Sequence, residues 1–243
     1  MKLNKVGYLG VLLATCSLLF LSACGDGWPR FKKIKTIAVV SISFSDELAE
    51  FNANGVQKEK TESVGASEAL GVVGGLFSGK AGESVQNAAK KRNEAEAKTW
   101  DNALAFKEGF PSLARNAFKR NKIEIVDYEA MTDSVSFSNA DVLKGLVAEA
   151  GADGITKFEN TLGYVKEDKN FGLSKSYRLA LKTKVSVADK EGYVGHLDFF
   201  IKAAKTRTTD GPVPTFTKAD FESLQRQINS KLRSKVTEKR YAK

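Results

Sequence analysis

The residues with the clearest chemistry are Leu21-Ser22-Ala23-Cys24, which close an apolar run that follows two lysines near the start of the chain. A basic start, an apolar stretch and then small residues form the layout of a secretory signal peptide. The small side chains of Ser22 and Ala23 let a peptidase approach an extended backbone. The thiol of Cys24 is a nucleophile that can take a diacylglyceryl group. The stretch therefore indicates export and offers a point of lipid attachment.

These four residues resemble the lipobox of bacterial lipoproteins, L-[AS]-[AG]-C, at every position. The resemblance implies cleavage between Ala23 and Cys24, a thioether-linked diacylglycerol on the Cys24 sulfur, and an acyl chain such as palmitate on its new amino group. Two or more acyl chains give a stable anchor, whereas one gives a marginal anchor. The alternative is an uncleaved transmembrane helix, since residues 6–23 approach the roughly 20 residues that span a bilayer.

The residues after the cysteine bear on location. In enterobacterial lipoproteins an Asp directly after the lipid cysteine favours the inner membrane, and here Gly25 takes that place and Asp26 follows. The resemblance therefore implies a cell-envelope protein on the outer membrane, facing the periplasm or the cell surface. We predict a signal peptide over residues 1–23, a lipidated tether over residues 24–33 and one domain over residues 34–243.

Composition limits the function classes. The chain carries a net charge of +9, and loss of Lys2 and Lys5 would leave 36 basic and 29 acidic residues, a net of +7. A basic exported protein suits anionic lipid, phosphate-bearing glycolipid or an acidic partner, and its export argues against nucleic acid. Cys16 would leave with the signal peptide, so Cys24 has no disulfide or metal partner. A single histidine excludes two- and three-histidine metal clusters, and no cofactor is expected besides the lipid.

Residue patterns predict an α/β (α+β) fold with a small mixed-sheet sandwich, in the order β-(insertion)-α-β-α-β-β-β-α. Alternating or β-branched runs predict strands at 34–42, 122–128, 155–165, 177–188 and 193–202. Charged, alanine-rich or amphipathic runs predict helices at 83–99 and 100–120, from an N-cap at Ser138, and from an N-cap at Thr217. Pro111 either kinks the second helix or opens a new one. Residues 45–98 form a Gly/Ala-rich and helical insertion.

Glycines recur every fourth residue at Gly71, Gly75 and Gly79. On a helix they would form a smooth strip on one face that another helix could approach closely. The segment is therefore interpreted either as a loop or as a self-associating or membrane-associating glycine zipper. A nucleotide-binding loop is disfavoured, because Ala81 follows Lys80 where Ser or Thr is needed.

The last helix, predicted over 217–243, combines an apolar stripe with a basic end. Phe221, Leu224, Ile228 and Leu232 are spaced to face the core. The cations near its end either form a solvated helix terminus that suits the helix dipole or contact an anionic envelope surface. They are Lys231, Arg233, Lys235, Lys239 and Arg240.

Two local patterns resemble a group of envelope proteins. Residues 113–127 are similar to their helix-then-strand pattern, and residues 148–155 to their "a…GADgvi" junction. The group comprises the curli-secretion-channel lipoproteins, the lipoprotein activators of penicillin-binding proteins and the N-terminal domain of the Tol translocation protein. The resemblance implies a small α/β sandwich, covers roughly residues 33–202 and is interrupted by the insertion. Fold likeness alone does not carry function.

The sequence offers no catalytic constellation. His196 lies mid-strand on the face opposite Leu197 and Phe199, which predicts a solvated or hydrogen-bonded role. The sequence pattern brings no two of the carboxylates Glu159, Glu191 and Asp198 together, and no G-x-S-x-G motif is present. Tyr164, Phe171 and Tyr177 are predicted to form an exposed binding edge near the loop of residues 166–176, while Trp100 is predicted in the core.

We therefore expect a lipid-anchored, non-catalytic envelope lipoprotein that binds or positions another envelope component. One alternative is a surface-exposed lipoprotein that binds host or matrix polyanions through its basic face. Another is an oligomeric secretion or pore component, and an enzyme is the least expected class.

Overall fold

The computed structural model describes residues 28–58, 80–128, 135–169, 174–209 and 213–241. The predicted signal peptide, its cleavage site at Ala23–Cys24, the lipidation site Cys24, Phe171, and the glycines at 71, 75 and 79 lie outside the described residues.

The described chain contains four helices and seven strands, which confirms the predicted mixed α/β class. In chain order they are α1 (Trp28–Phe31), β1 (Thr36–Phe44), β2 (Ala49–Phe51), α2 (Lys80–Lys119), β3 (Glu124–Val126), α3 (Ala140–Glu149), β4 (Gly154–Lys169), β5 (Ser174–Asp189), β6 (Gly192–Lys202), β7 (Arg207–Thr209) and α4 (Lys218–Tyr241).

All seven strands join one mixed sheet. The main order is β3-β1-β4-β5-β6, with β2 on β4 beyond the end of β1 and β7 on β5. β1 pairs parallel with β3 and β4, whereas β4–β5 and β5–β6 are antiparallel. Gly163 permits the close approach of β2, because a Cβ there would lie 2.0 Å from the Ala49 carbonyl oxygen. The sheet is thus organised around the two sixteen-residue strands β4 and β5.

The alternation of apolar and polar residues over 177–188 and 193–202 predicts two strands of a hairpin, and β5 and β6 confirm it. The residues that this alternation places inward are all buried, namely Leu179, Leu181, Val185, Val187, Leu197, Phe199 and Ile201. The backbone N–H of Glu191 donates to Asp189 Oδ1 at 2.8 Å and closes the turn. Alternation with a period of two has therefore placed one set of side chains in the core and the other on the opposite face.

Helices α2 and α4 cover one face of the sheet, which we call the inner face. Phenylalanine rings fill the space between them, with the centroids of Phe110 and Phe158 5.7 Å apart at 77°. The predicted stripe of α4 is buried, and Val236 extends it. The Thr217 backbone N–H donates to Asp220 Oδ2 at 2.7 Å, as in the predicted cap, and both Phe216 and Phe221 are buried.

Helix α3 covers only one end of the other face, which we call the outer face. Leu143 and Val147 pack there against β1, β4 and β5. The cap is Asn139 rather than the predicted Ser138, because the Asn139 side chain accepts from the backbone N–H groups of Asp141 and Val142. Val142, at the start of α3, is 47% exposed.

A reciprocal clamp joins the starts of β1 and β4 inside the "GAD" pattern. One Asp153 carboxylate oxygen accepts from the backbone N–H groups of Lys35 and Thr36 at 2.9 and 3.0 Å. In return, the Asp153 N–H donates to Thr36 Oγ1 at 2.8 Å. These backbone donors lower the pKa of Asp153, Lys35 contributing most. Gly151, with φ at +61°, follows the end of α3.

Several predicted boundaries are wrong. Part of the predicted tether is folded, since Trp28–Phe31 is helical and Phe31 is fully buried. Residues 83–119 belong to one forty-residue helix, Lys80–Lys119, that contains Pro111, rather than to two helices. The two short strands β2 and β7 were not predicted, and β2 places part of the 45–98 insertion in the sheet. Phe110 and Leu113, on either side of Pro111, are both buried. Their packing compensates for the helix hydrogen bond that Pro111 cannot make.

Candidate functional site

The middle of the outer face is left open between α3 and β2, and its polar side chains lie in rows that run across β4, β5 and β6. One row joins Glu159, Lys184 and Asp198, which are directly paired from β4 to β6. Their side chains are 43%, 48% and 50% exposed. We call the set Lys157, Glu159, Lys184, Tyr193, His196 and Asp198 the open face.

The only histidine of the sequence lies in this open face. His196 Nδ1 is 2.7 Å from the Tyr193 hydroxyl, and Nε2 is 3.1 Å from Asp198 Oδ2. Burial raises the pKa of Tyr193, whose ring also contacts that of Phe137 edge-on at 6.4 Å. The predicted hydrogen-bonded placement of His196, opposite Leu197, is confirmed. This group can offer donors, acceptors and an aromatic edge to a polar partner.

Sequence reasoning did not bring the carboxylates of the open face together. Glu159 lies 3.1 Å from Lys157 Nζ and 4.0 Å from Lys184 Nζ. Lys184 also separates it from Asp198 in the row, so the two carboxylates flank a cation. Glu191 lies elsewhere, 3.2 Å from Arg30 Nη1 at the hairpin turn. The row of Glu159, Lys184 and Asp198 is seen only once the register of β4, β5 and β6 is known, and pairing between residues far apart in the sequence fixes that register.

The predicted aromatic binding edge is wrong for the two residues that the structure describes. Tyr164 and Tyr177 are buried, with ring centroids 5.7 Å apart. Burial, followed by the nearby Glu50 carboxylate, raises the pKa of Tyr164 to about 12. A small cleft beside Tyr164 is lined by Leu48, Arg92, Glu96, Thr99, Val213 and Pro214. Trp100, predicted in the core, is only partly buried and packs against the edge of the core. The Lys107 Nζ lies 4.2 Å from the centroid of the Trp100 ring.

The predicted basic helix end of α4 is partly engaged with the protein itself. Arg240 Nη1 donates to the Ile34 carbonyl at 2.7 Å, and Lys235 Nζ lies 2.9 Å from Glu238. Lys239 Nζ lies 5.1 Å from the Trp28 ring. Lys231 and Arg233 are exposed. The end is therefore both a structural junction between α1 and α4 and a positively charged surface.

A buried ion pair fixes the start of α4. Arg207 Nε donates to Asp220 Oδ2 at 2.7 Å, and Arg207 Nη2 donates to Thr217 Oγ1 at the same distance. Asp220 is 1% exposed, so this carboxylate is shielded from water. The pair links β7 to α4 and has a structural position away from the open face.

Across residues 28–58, 80–128, 135–169, 174–209 and 213–241, no three His, Cys, Asp or Glu side chains cluster in a way that could hold a metal ion. No helix within those ranges combines the length and apolar character needed to cross a bilayer.

Two solved structures are among the structural neighbours of this chain. No family model and no curated protein matches the sequence. One neighbour is a homolog of a neuraminyllactose-binding hemagglutinin from Helicobacter pylori, at 6% identity, with a TM-score of 0.34 over 81% of this chain and 83% of that one. Another is lipoprotein GNA1162 from Neisseria meningitidis, at 11% identity, with a TM-score of 0.25 over 82% and 98%.

Similarity at these TM-scores carries no argument about the activity of this chain. One of the neighbours is a lipoprotein. The resemblance to the curli-channel group stays a prediction.

Proposed function

We propose that this chain is a lipid-anchored, non-catalytic envelope lipoprotein that binds or positions another envelope component through the open face of its sheet. The observation that carries the proposal is the lipobox at Leu21–Cys24, which ends four residues before the first helix of the folded domain. Acylation of Cys24 would hold this domain against a bilayer. The outer membrane is the proposed location, since Gly25 rather than Asp follows the cysteine.

The open face supports the binding role because its side chains lie outside the core, and Glu159, Lys184 and Asp198 stay 43%, 48% and 50% exposed although they pair with their neighbours. The inward residues of β5 and β6 already secure the hairpin, so the half-exposed Lys184, His196 and Asp198 can exchange their surface contacts for contacts with a partner. Mixed charge of both signs favours a polar protein surface over a purely anionic ligand. A non-catalytic role agrees with the sequence, which offers one histidine and no nucleophile motif.

Metabolic labelling with an alkyne palmitate analogue tests the anchor. The wild-type chain should take the label, and Cys24→Ala should lose it, because the thiol that accepts the diacylglycerol is gone. Cys16→Ala is the matched control and should keep the label, since Cys16 leaves with the signal peptide. An unlabelled wild-type chain, or a mature polypeptide that still starts at Met1, would contradict the anchor.

Site-specific photocrosslinking tests the partner role. A photoreactive residue at Lys184 should give a discrete adduct in intact cells, because the open face contacts the partner. The same residue at Lys205, which is exposed in the connection between β6 and β7, is the control and should give none. Equal adducts at both positions, or none at Lys184, would count against the open face.

A further inference from the structure

Three segments that are distant in sequence meet at one end of the molecule, and all three are rich in cations. They are residues 32–35 after α1, residues 119–124 between α2 and β3, and residues 231–241 at the end of α4. We call them the basic end. They hold eleven Lys and Arg residues but only two acidic residues, Glu124 and Glu238.

Hydrogen bonds hold these segments together. Thr237 Oγ1 donates to Asn121 Oδ1 at 2.7 Å, and Asn121 Nδ2 donates to the Ala117 carbonyl at 2.9 Å. The bond from Arg240 to the Ile34 carbonyl joins α4 to the chain that leaves α1. The backbone N–H of Glu124 donates to the Lys35 carbonyl at 2.8 Å. The charges are therefore concentrated by the fold itself.

The acidic residues of the basic end do not balance its cations. The Glu238 carboxylate forms ion pairs with both Lys235 and Lys239, whose Nζ atoms lie 2.9 and 4.0 Å from its oxygens. The Lys235 hydrogen bond, with the charges of Lys235, Lys239 and Lys231, lowers the pKa of Glu238. Lys33, Lys119, Arg120 and Lys122 are exposed around this site. Like charges held this close repel one another, and a bound anionic surface relieves that repulsion.

The chain length between Cys24 and Trp28 decides which surface is available. Four residues span at most about 14 Å when extended. Trp28 itself is fixed to the basic end through the contact of its ring with Lys239. A lipid on Cys24 would thus hold the basic end within one or two Debye lengths of the headgroups, the Debye length being about 8 Å at physiological salt. Electrostatic attraction is still effective at that separation.

We propose that the basic end is a second membrane contact, which binds the anionic headgroups of phospholipids beside the anchor and fixes the orientation of the domain on the bilayer. This inference rests on the proposed lipid anchor at Cys24. It adds that the domain lies with one defined end on the membrane, instead of rotating freely on its tether.

The test uses the acylated full-length mature protein, reconstituted on vesicles of pure phosphatidylcholine or with 30% phosphatidylglycerol. Modification of lysines by an amine-reactive ester is followed by mass spectrometry. We expect Lys119 and Lys122 to react at least about fivefold more slowly on the anionic vesicles, and 0.5 M NaCl to restore their rates, because salt screens the contact. Co-sedimentation with both kinds of vesicle reports the anchor separately.

A charge-reversed variant and its matched control locate the contact. Lys33→Glu, Arg120→Glu and Lys231→Glu together should abolish the protection of Lys119 and Lys122. The control changes three exposed lysines away from the basic end by the same total charge, and should retain the protection. Its substitutions are Lys182→Glu, Lys205→Glu and Lys218→Glu. Equal thermal midpoints would show that both variants are folded.

Each outcome is decisive. Protein that stays in the supernatant with both vesicles would overturn the anchor and, with it, this inference. Protein that co-sediments with both vesicles but shows equal lysine rates on them would overturn the orienting contact alone. Loss of protection in both triple variants would also overturn it, because net charge rather than the basic end would then be responsible.

Discussion

The two faces of the sheet use the same strands in opposite ways. On the inner face, two long helices bury a continuous aromatic core, in which Phe110 and Phe158 are fully inaccessible. On the outer face, a ten-residue helix covers one end and leaves rows of charged side chains in water. Neighbouring residues of β5 therefore have different roles. Val185 packs in the core, whereas Lys184 is on the surface, where a substitution removes no core packing.

The largest expected effect compares the two faces directly. Phe158→Ala should lower the free energy of unfolding by about 3–5 kcal/mol, because it opens a cavity among rings that are fully buried. Lys184→Ala, on the strand beside it, should change the same quantity by less than about 0.5 kcal/mol. Denaturant titrations of both variants measure the difference. Similar losses in the two would show that the outer face is part of the core.

A second comparison sets a buried carboxylate against an exposed one. Asp220→Ala should cost about 3 kcal/mol, because it leaves Arg207 and a helix cap without their shared acceptor. Asp198→Ala, whose partner His196 is itself half exposed, should cost less than about 1 kcal/mol. Thermal unfolding of the two variants tests this order. The contrast between the faces would weaken if Asp198→Ala were the more damaging change.

Tyr164 extends the comparison to alkaline pH. Its pKa is about 12 in the folded protein, against about 10 in an unfolded chain. The neutral form is favoured by folding, so this contribution is fully present below pH 10 and is lost as the pH rises from 10 to 12. Tyr164→Phe should be less sensitive to pH over that window in urea titrations. An unchanged slope would mean that Tyr164 ionises without hindrance.

A smaller effect than those at Phe158, Asp220 and Tyr164 is expected at Asp153, which clamps the exposed start of β1. The pKa of this carboxyl is lowered by folding, so its contribution is present above the unfolded value of about 3.9 and is lost as the pH falls through the folded value. Asp153→Asn should cost about 1 kcal/mol at pH 7, because the site is exposed. Its stability should also fall less steeply in acid, as measured by chemical unfolding at pH 2–6. A slope equal to that of the wild type would contradict this role.

What could be predicted from the sequence depended on whether the signal was local. The stripe of α4 and the alternation of β5 and β6 repeat over many residues, so periodicity was enough to identify them. Strands β2 and β7 have three residues each, and only pairing with β4 and β5 makes them strands. Ser138 and Asn139 are both good caps, and local sequence does not distinguish them.

The candidate site shows the same limit. The sequence placed His196 on the correct face, because alternation along one strand fixes that choice. It did not place Glu159 and Asp198 beside Lys184, since that row depends on the register of three strands. The nearby loop predicts that Tyr164 and Tyr177 are exposed, whereas both are buried. Side chains of α2, together with Val213 and Pro214, line the cleft beside Tyr164, and these distant segments are not visible in the local sequence.

The bond from Arg240 to the Ile34 carbonyl brings the first and last helices of the described chain to the same corner. A fluorescent protein fused after α4 would consequently be held beside α1. The same reporter inserted in the connection between β6 and β7 would be separated from that corner by the length of β6, about 36 Å for its eleven residues. The distances of the two reporters from the membrane would then differ according to the tilt of the domain, which could be measured in living cells.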